Sequence, residues 1–199
     1  MHTYIFSAMG DEPCIVERSS CTVRKVFAEG ERTVSESGVI SNGESSKALV
    51  QQWFAAGLTS PEGLAMVTDD FAWIGPASMT HLFGTDDATL RGPAGLATLS
   101  YLDKALYADY DEGKPSANTH FMIAEGDIVV MEFDAEFTLH DGDHYHNQYC
   151  IVIRVRDGKI AEVREHADTL YSEIVCMGTP EKRAGVMDRL AELRAGKEI

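Results

Sequence analysis

The sequence predicts an α+β domain, and three observations predict it. Apolar residues recur at helical spacing between about residues 45 and 107. The stretch from 116 to 168 divides into four strand-like runs separated by tight-turn signals. The chain has 199 residues and 44% hydrophobic content, enough for one core of ordinary size and too little for two full domains. Helices first and consecutive hairpin-joined strands second give an α+β arrangement with a largely antiparallel sheet.

Residues 1–44 differ in pattern from the rest of the chain. Tyr4-Ile5-Phe6 and Thr22 to Phe27 read as short strands around Asp11-Glu12-Pro13. The stretch from Ser35 to Ser45 is small, polar and turn-rich, and reads as a linker or loosely held arm. Ser45 or Ser46 caps a first helix carrying Leu49, Val50, Trp53, Phe54 and Leu58. Ser60-Pro61-Glu62 opens a short second helix with Leu64, Met66 and Val67, ending near Asp69-Asp70. Phe71 to Ile74 is a short strand stopped by Gly75-Pro76. A loop then runs to Arg91-Gly92-Pro93, which punctuates the start of a third helix over 94–107 with Leu96, Leu99, Leu102 and Leu106 on one side.

Turn signals at Glu125-Gly126-Asp127, Asp141-Gly142-Asp143 and Asp157-Gly158 delimit strands 116–124, 127–140, 144–156 and 159–168. Two are long, so the sheet must bend around the helices. Asp168-Thr169 ends the last strand and caps a short turn. A helix from Pro180 to Leu193 closes the chain.

The charge balance excludes several partners. With 32 acidic against 17 basic residues, the net charge is −15. That disfavours nucleic acid and anionic membrane surfaces, both of which are met by Lys and Arg. No apolar run is long enough to span a bilayer. Met1-His2-Thr3-Tyr4 lacks the features of a secretion signal. Cys14, Cys21, Cys150 and Cys176 form no C-x-x-C pair; Cys14 and Cys21 could bridge if the segment between them turned back, but without a secretion signal a reduced, cytoplasmic protein is expected.

His144 and His146 point the same way on a strand but have no evident third ligand, and read as part of a solvated turn; no metal is expected. Strand 127–140 alternates strictly. Val129, Met131, Phe133, Ala135 and Phe137 form one face, and Glu132, Asp134 and Glu136 belong to the other. Alternation alone puts the apolar face inward and the acids in water. On the last strand Ala161, Val163, Glu165 and Ala167 share a face. A lone carboxylate on a small apolar face must be paired or have its pKa raised, which makes Glu165 a candidate acid or base.

The order of elements, with Asp157-Gly158-Lys159-Ile160 followed by Arg164-Glu165-His166-Ala167-Asp168, resembles the nuclear transport factor 2-like superfamily. Within it, SnoaL-like polyketide cyclases, ketosteroid isomerases and limonene epoxide hydrolases are most similar. The resemblance covers about residues 45–175, leaving an N-terminal arm or β-hairpin extension plus linker over 1–44 and a C-terminal helix over 176–199. It implies a cone, a strongly curved antiparallel or mixed sheet wrapped around three helices, with a deep apolar pocket and dimerisation through the outer sheet face.

The resemblance also implies site residues. The Arg-x-Asp position of the epoxide hydrolases falls on Glu132-Phe133-Asp134, and their second acid on Glu165. Asp134 and Glu165 then become the pocket carboxylates, Glu132 replaces the Arg, and Asn147, Tyr149 and Ile151 face inward. The apolar face from Val129 to Phe137 would lie outside, to be covered by a second copy or by residues 1–44. The water-holding Tyr and Asn of the hydrolases become about Trp73 and Gly75. Gly75 also stands where the isomerases carry their base, so neither mechanism transfers intact. SnoaL-like cyclases pair an acid with a His, a role that Asp134 or Glu165 with His120 would fill.

The implied function is cofactor-independent acid–base chemistry on a hydrophobic carbonyl compound, of cyclase or isomerase type. Asp134, Glu165 and His120 are the expected catalytic groups. Trp53, Trp73, Tyr101, Glu132, Asn147 and Tyr149 are the expected substrate contacts. A non-catalytic ligand-binding or dimeric assembly module and a hydratase or epoxide-hydrolase-like enzyme are the alternatives. The expected partners are a small hydrophobic ligand and a second copy of the chain.

Overall fold

A computed structural model of the protein describes residues 36–108 and 117–197, with side chains from residue 43 onward. The expected strands near residues 4–6 and 22–27, and Cys14 and Cys21, lie outside the described residues.

Helix α1 spans Glu36–Ala56 and so occupies most of the stretch expected to be a linker. Its Val50 and Trp53 are fully buried, one helical turn apart, and Leu49 and Phe54 pack beside them. Helix α2 (Pro61–Ala65) starts as its sequence demands, with the Ser60 hydroxyl accepting from the Gly63 N–H at 3.0 Å. The same hydroxyl donates to the Ala56 carbonyl at 2.8 Å and ties α2 to the end of α1. Gly63 is required there, because a Cβ would collide with the Gly57 carbonyl oxygen.

Strand β1 (Val67–Ile74) begins earlier than expected. Val67 pairs with Ile160 and Ala72 with Glu162, in parallel, with an irregularity between. The loop after β1 contains a helical turn at Ala77–Met79, a short helix α3 (Thr80–Phe83) and strand β2 (Thr89–Arg91). The expected third helix is two, α4 (Gly92–Ala97) and α5 (Leu99–Leu106). Thr98 marks the break, its hydroxyl donating to the Gly95 carbonyl at 2.6 Å.

Strands β3 (Ala117–Glu125), β4 (Ile128–Thr138), β5 (His144–Arg156) and β6 (Lys159–Ala167) match the four expected runs. Asp157 and Gly158 have φ of 53° and 73°, the left-handed pair that a two-residue turn between twisted strands needs. The sheet is curved, unclosed and mixed, in the order β2-β1-β6-β5-β4-β3. Asp168 does more than cap a turn. Its carboxylate accepts from the Tyr171 N–H at 2.9 Å and opens a full helix, α6 (Thr169–Met177). Helix α7 (Pro180–Arg194) comes last, and its Val186, Leu190 and Leu193 join the main core.

The facing of β4 corrects the family-based register. Val129, Met131, Phe133 and Ala135 are buried in the core, so the apolar row points toward the helices and Glu132 and Asp134 point away. The covered outer patch that this row was expected to form does not exist. The physical cause is a bulge. Arg156 pairs with Lys159 and Val155 with Ile160, but Arg154 pairs with Glu162. That one-residue advance sets Glu165 opposite Ile151, which faces Met131. Without it Glu165 would fall in line with Cys150 and Glu132. A one-residue slip moves a strand's side chains to the other face.

Candidate active site

A cavity of about 490 Å³ lies between the inner sheet face and the helices. The sheet contributes Trp73 from β1, Phe133, Ala135 and Phe137 from β4, Tyr145, Tyr149 and Ile151 from β5, and Glu165 and Ala167 from β6. Helices α1, α3, α5 and α6 close it with Phe54, Leu82, Leu102, Asp103, Leu106 and Cys176 among others. Its walls are mostly apolar and aromatic. Phe133 stacks on Tyr149 at 5.2 Å between ring centroids, and Tyr107 on Phe137 at 3.9 Å.

Three carboxyls border this surface; Glu173 is paired with Arg183 and His81, whereas Glu165 and Asp103 have no cationic partner among the described residues. Glu165 Oε2 accepts from the Trp73 indole N–H at 2.8 Å. Loss of water raises its pKa above the ordinary value, and the indole hydrogen bond offsets only part of that rise. Asp103 sits on α5 between Leu102 and Leu106. Burial, with the Glu165 charge adding to it, pushes its pKa up from 3.8 to about 7. Both keep some accessible surface because they border the cavity, yet protein encloses them, so desolvation dominates. Two like charges in one apolar site titrate as a pair.

A hydroxyl network lines the neighbouring strand β5, where Tyr149 pairs with Ala167, two residues from Glu165. The Tyr145 and Tyr149 hydroxyls lie 2.7 Å apart, and Ser172 Oγ is 3.0 Å from Tyr145. Asn147 Nδ2 donates to Tyr145 at 2.9 Å, to Ser172 at 2.9 Å and to the Asp168 carbonyl at 3.1 Å. Burial, then the neighbouring Tyr145 and Glu165, push the Tyr149 hydroxyl well up, so it stays protonated and can donate. Burial likewise pushes the Cys176 thiol up to about 12, which keeps it a neutral packing group.

The expected site residues therefore divide. Glu165, Trp73 and Tyr149 border the cavity. Asn147 is buried behind it and reaches it only through Tyr145 and Ser172. Trp53 is a fully buried core residue against Phe54 and Phe71, and neither it nor Tyr101 is in the cavity lining.

Asp134, His120 and Glu132 stand on the other side of the sheet. There His120 Nε2 lies 2.8 Å from Asp134 Oδ2 and its Nδ1 3.3 Å from Glu132. His146 Nε2 approaches the same Asp134 oxygen at 3.6 Å. Hydrogen bonds to Asp134 first and Glu132 second raise the His120 pKa. Asp134 moves the other way, since His120 and then His146 outweigh its partial burial. Among the described residues no three His, Cys, Asp or Glu side chains are arranged to hold a metal ion.

Asp103 was not among the expected residues. The signal was present, because it falls four residues after Leu99 and three before Leu106, on the apolar side of a helix.

A curved sheet covered by helices, with an apolar cavity between them that inward carboxyls border, defines an α+β cone. The chain belongs to the SnoaL-like domain family, whose model matches residues 50–163. Solved structures agree on the fold. An NTF2-like protein from Burkholderia pseudomallei is 17% identical, with a TM-score of 0.56, over 67% of this chain and 98% of its own. TerC, co-crystallised with polyporic acid, is 22% identical with a TM-score of 0.55, over 66% and 97%. A SnoaL-like polyketide cyclase candidate from Jannaschia sp. CCS1 is 14% identical with a TM-score of 0.55, over 76% and 100%. None of the curated proteins matches the sequence. No helix among the described residues is long and apolar enough to cross a membrane.

Proposed function

We propose that the protein is a cofactor-independent acid–base enzyme of cyclase or isomerase type, acting on a small apolar carbonyl compound in this cavity. The observation that carries the reading is the pair Asp103 and Glu165, two carboxyls pushed upward in one aromatic-walled site. Their environments differ. Glu165 has an indole N–H to stabilise its charge, whereas no hydrogen bond favours ionisation of Asp103. Glu165 is therefore the base that takes a proton from carbon beside the carbonyl. Asp103, holding its proton up to about neutrality, is the acid that donates to the developing enolate oxygen. Tyr149, held by Tyr145 and through it by Ser172 and Asn147, is a second donor to that oxygen.

The Arg-x-Asp arrangement of the epoxide hydrolases has no counterpart in the cavity, since Glu132 and Asp134 face outward. That favours the isomerase-type reading over the hydrolase one.

We also propose a homodimer through the outer sheet face and a cytoplasmic location. Phe121 is 43% exposed and Ile123 59%, and the pairing aligns Ile123 with Val130 and Val152 on that face. The free thiols Cys150 and Cys176 suit a reducing compartment.

The test is proton exchange at carbon. The α-protons of 2-tetralone, incubated with the protein in deuterium oxide, are followed by proton NMR. The wild type accelerates their loss, and Glu165→Gln reduces that acceleration by about a hundredfold or more. Equal exchange in the two proteins contradicts the assignment, and no acceleration by either points to a binding module.

A further inference from the structure

The cavity holds more carboxylate than base. Asp103, Glu165 and Glu173 border it, while its lining contains neither Lys nor Arg and has His81 as its one ionisable base. Glu173 is answered by Arg183, which donates to it, and by His81 at 3.9 Å. No such cation answers Asp103 or Glu165. The Trp73 indole supplies a donor to Glu165, and no described residue supplies one to Asp103. A carboxyl enclosed in apolar surroundings without a partner is costly, and whatever ligand occupies the cavity must meet that cost or leave it standing.

The walls select the same chemistry. Trp73, Phe133, Phe137 and Tyr149 present aromatic rings to the space that the carboxyls enter. The negative faces of such rings attract a positive charge, most strongly where water is excluded. We propose that the cavity binds an apolar amine in its protonated form, with the ammonium N–H directed to Asp103 and Glu165 and its hydrocarbon against the aromatic wall. A neutral ligand of the same shape satisfies the hydrocarbon wall but leaves the carboxyls without a counter-charge. An anionic ligand adds repulsion. Binding also moves protons in a diagnostic direction. An ammonium beside the raised carboxyls favours their ionised forms, so it releases protons. A neutral ligand that only displaces water favours the protonated forms and takes protons up.

The inference goes beyond the acid–base reading and concerns equilibrium binding alone, so a failure of proton exchange at carbon leaves it standing, and the reverse also holds. The experiment is isothermal titration calorimetry of the full chain at neutral pH, in phosphate and in Tris, with N,N-dimethylbenzylamine, N,N-dimethylbenzamide and phenylacetate. The amine binds at least about tenfold more tightly than the amide, and phenylacetate binds most weakly. The amine's heat changes between buffers with the sign of proton release. Asp103→Asn weakens the amine by about tenfold and weakens it more than it weakens the amide. Glu165→Gln, measured in parallel, does the same, which guards against a folding defect in one variant. Equal or tighter binding of the amide or phenylacetate, no amine binding, proton uptake with the amine, or amine affinity unchanged in both variants would each overturn the proposal.

Discussion

Asp103 and Glu165 differ by one hydrogen bond, which gives the two carboxyls different electrostatic surroundings. The Trp73 indole favours the charged form of Glu165, while Asp103 meets burial and a neighbouring negative charge with nothing opposed to them. The sign of the Asp103 shift sets its effect on stability. Below its ordinary pKa of 3.8 it is protonated in both folded and unfolded chains. Between 3.8 and about 7 the unfolded chain ionises while the folded one holds its proton, so the fold loses stability as pH rises through that window. Asp103→Asn cannot titrate and escapes the loss. Urea denaturation should find the variant more stable than wild type by roughly 1–3 kcal/mol at neutral pH, with the difference shrinking toward acid pH. A difference that stays constant with pH would contradict the raised pKa. Glu165 was legible in the sequence because one carboxylate stood among Val163 and Ala167. Asp103 was legible too, but only to a reading that asks which face of the helix each acid occupies.

At the scale of the element, alternation along β4 already stated which face is buried. The family register reversed it by counting residues from the hairpins, and counting fails where the pairing slips. The bulge at Arg154/Val155 is one such place, and the shift between Thr119 and Phe121 on β3 is another. Neither carries a glycine or proline to announce it, so the sequence offers no local signal. The break between α4 and α5 and the start of α6 were hidden for a different reason. Each depends on hydrogen bonds from side chains such as Thr98 and Asp168 that serve equally well in turns. The corrected facing makes a prediction that separates the two sides of the sheet. Asp134→Asn and His120→Ala alter the outer cluster and should leave exchange of the 2-tetralone α-protons within about twofold of wild type. A loss comparable to that of Glu165→Gln would return Asp134 to the chemistry.

Over the whole molecule, the two faces of the sheet differ. The inner one carries the cavity; the strand lengths alone implied a sheet bent around the helices, and the cone with its pocket came from the family resemblance. The outer one carries exposed Phe121 and Ile123 beside Val130 and Val152. If that face joins two copies, multi-angle light scattering reports twice the 21.8 kDa chain mass, and Ile123→Arg returns the mass of one chain. A monomeric wild type would remove the dimer. On the reading proposed here the cavity brings together a helix carboxyl, Asp103, and a sheet carboxyl, Glu165, for proton transfer, while the outer acids are ordinary ion-pair partners. Carbon-detected NMR titration of the Asp and Glu carboxyls tests it most directly. Asp103 should titrate near 7, Glu165 above the ordinary range and Asp134 below it, all in one experiment. Asp103 and Glu165 titrating at ordinary carboxylate values would contradict it.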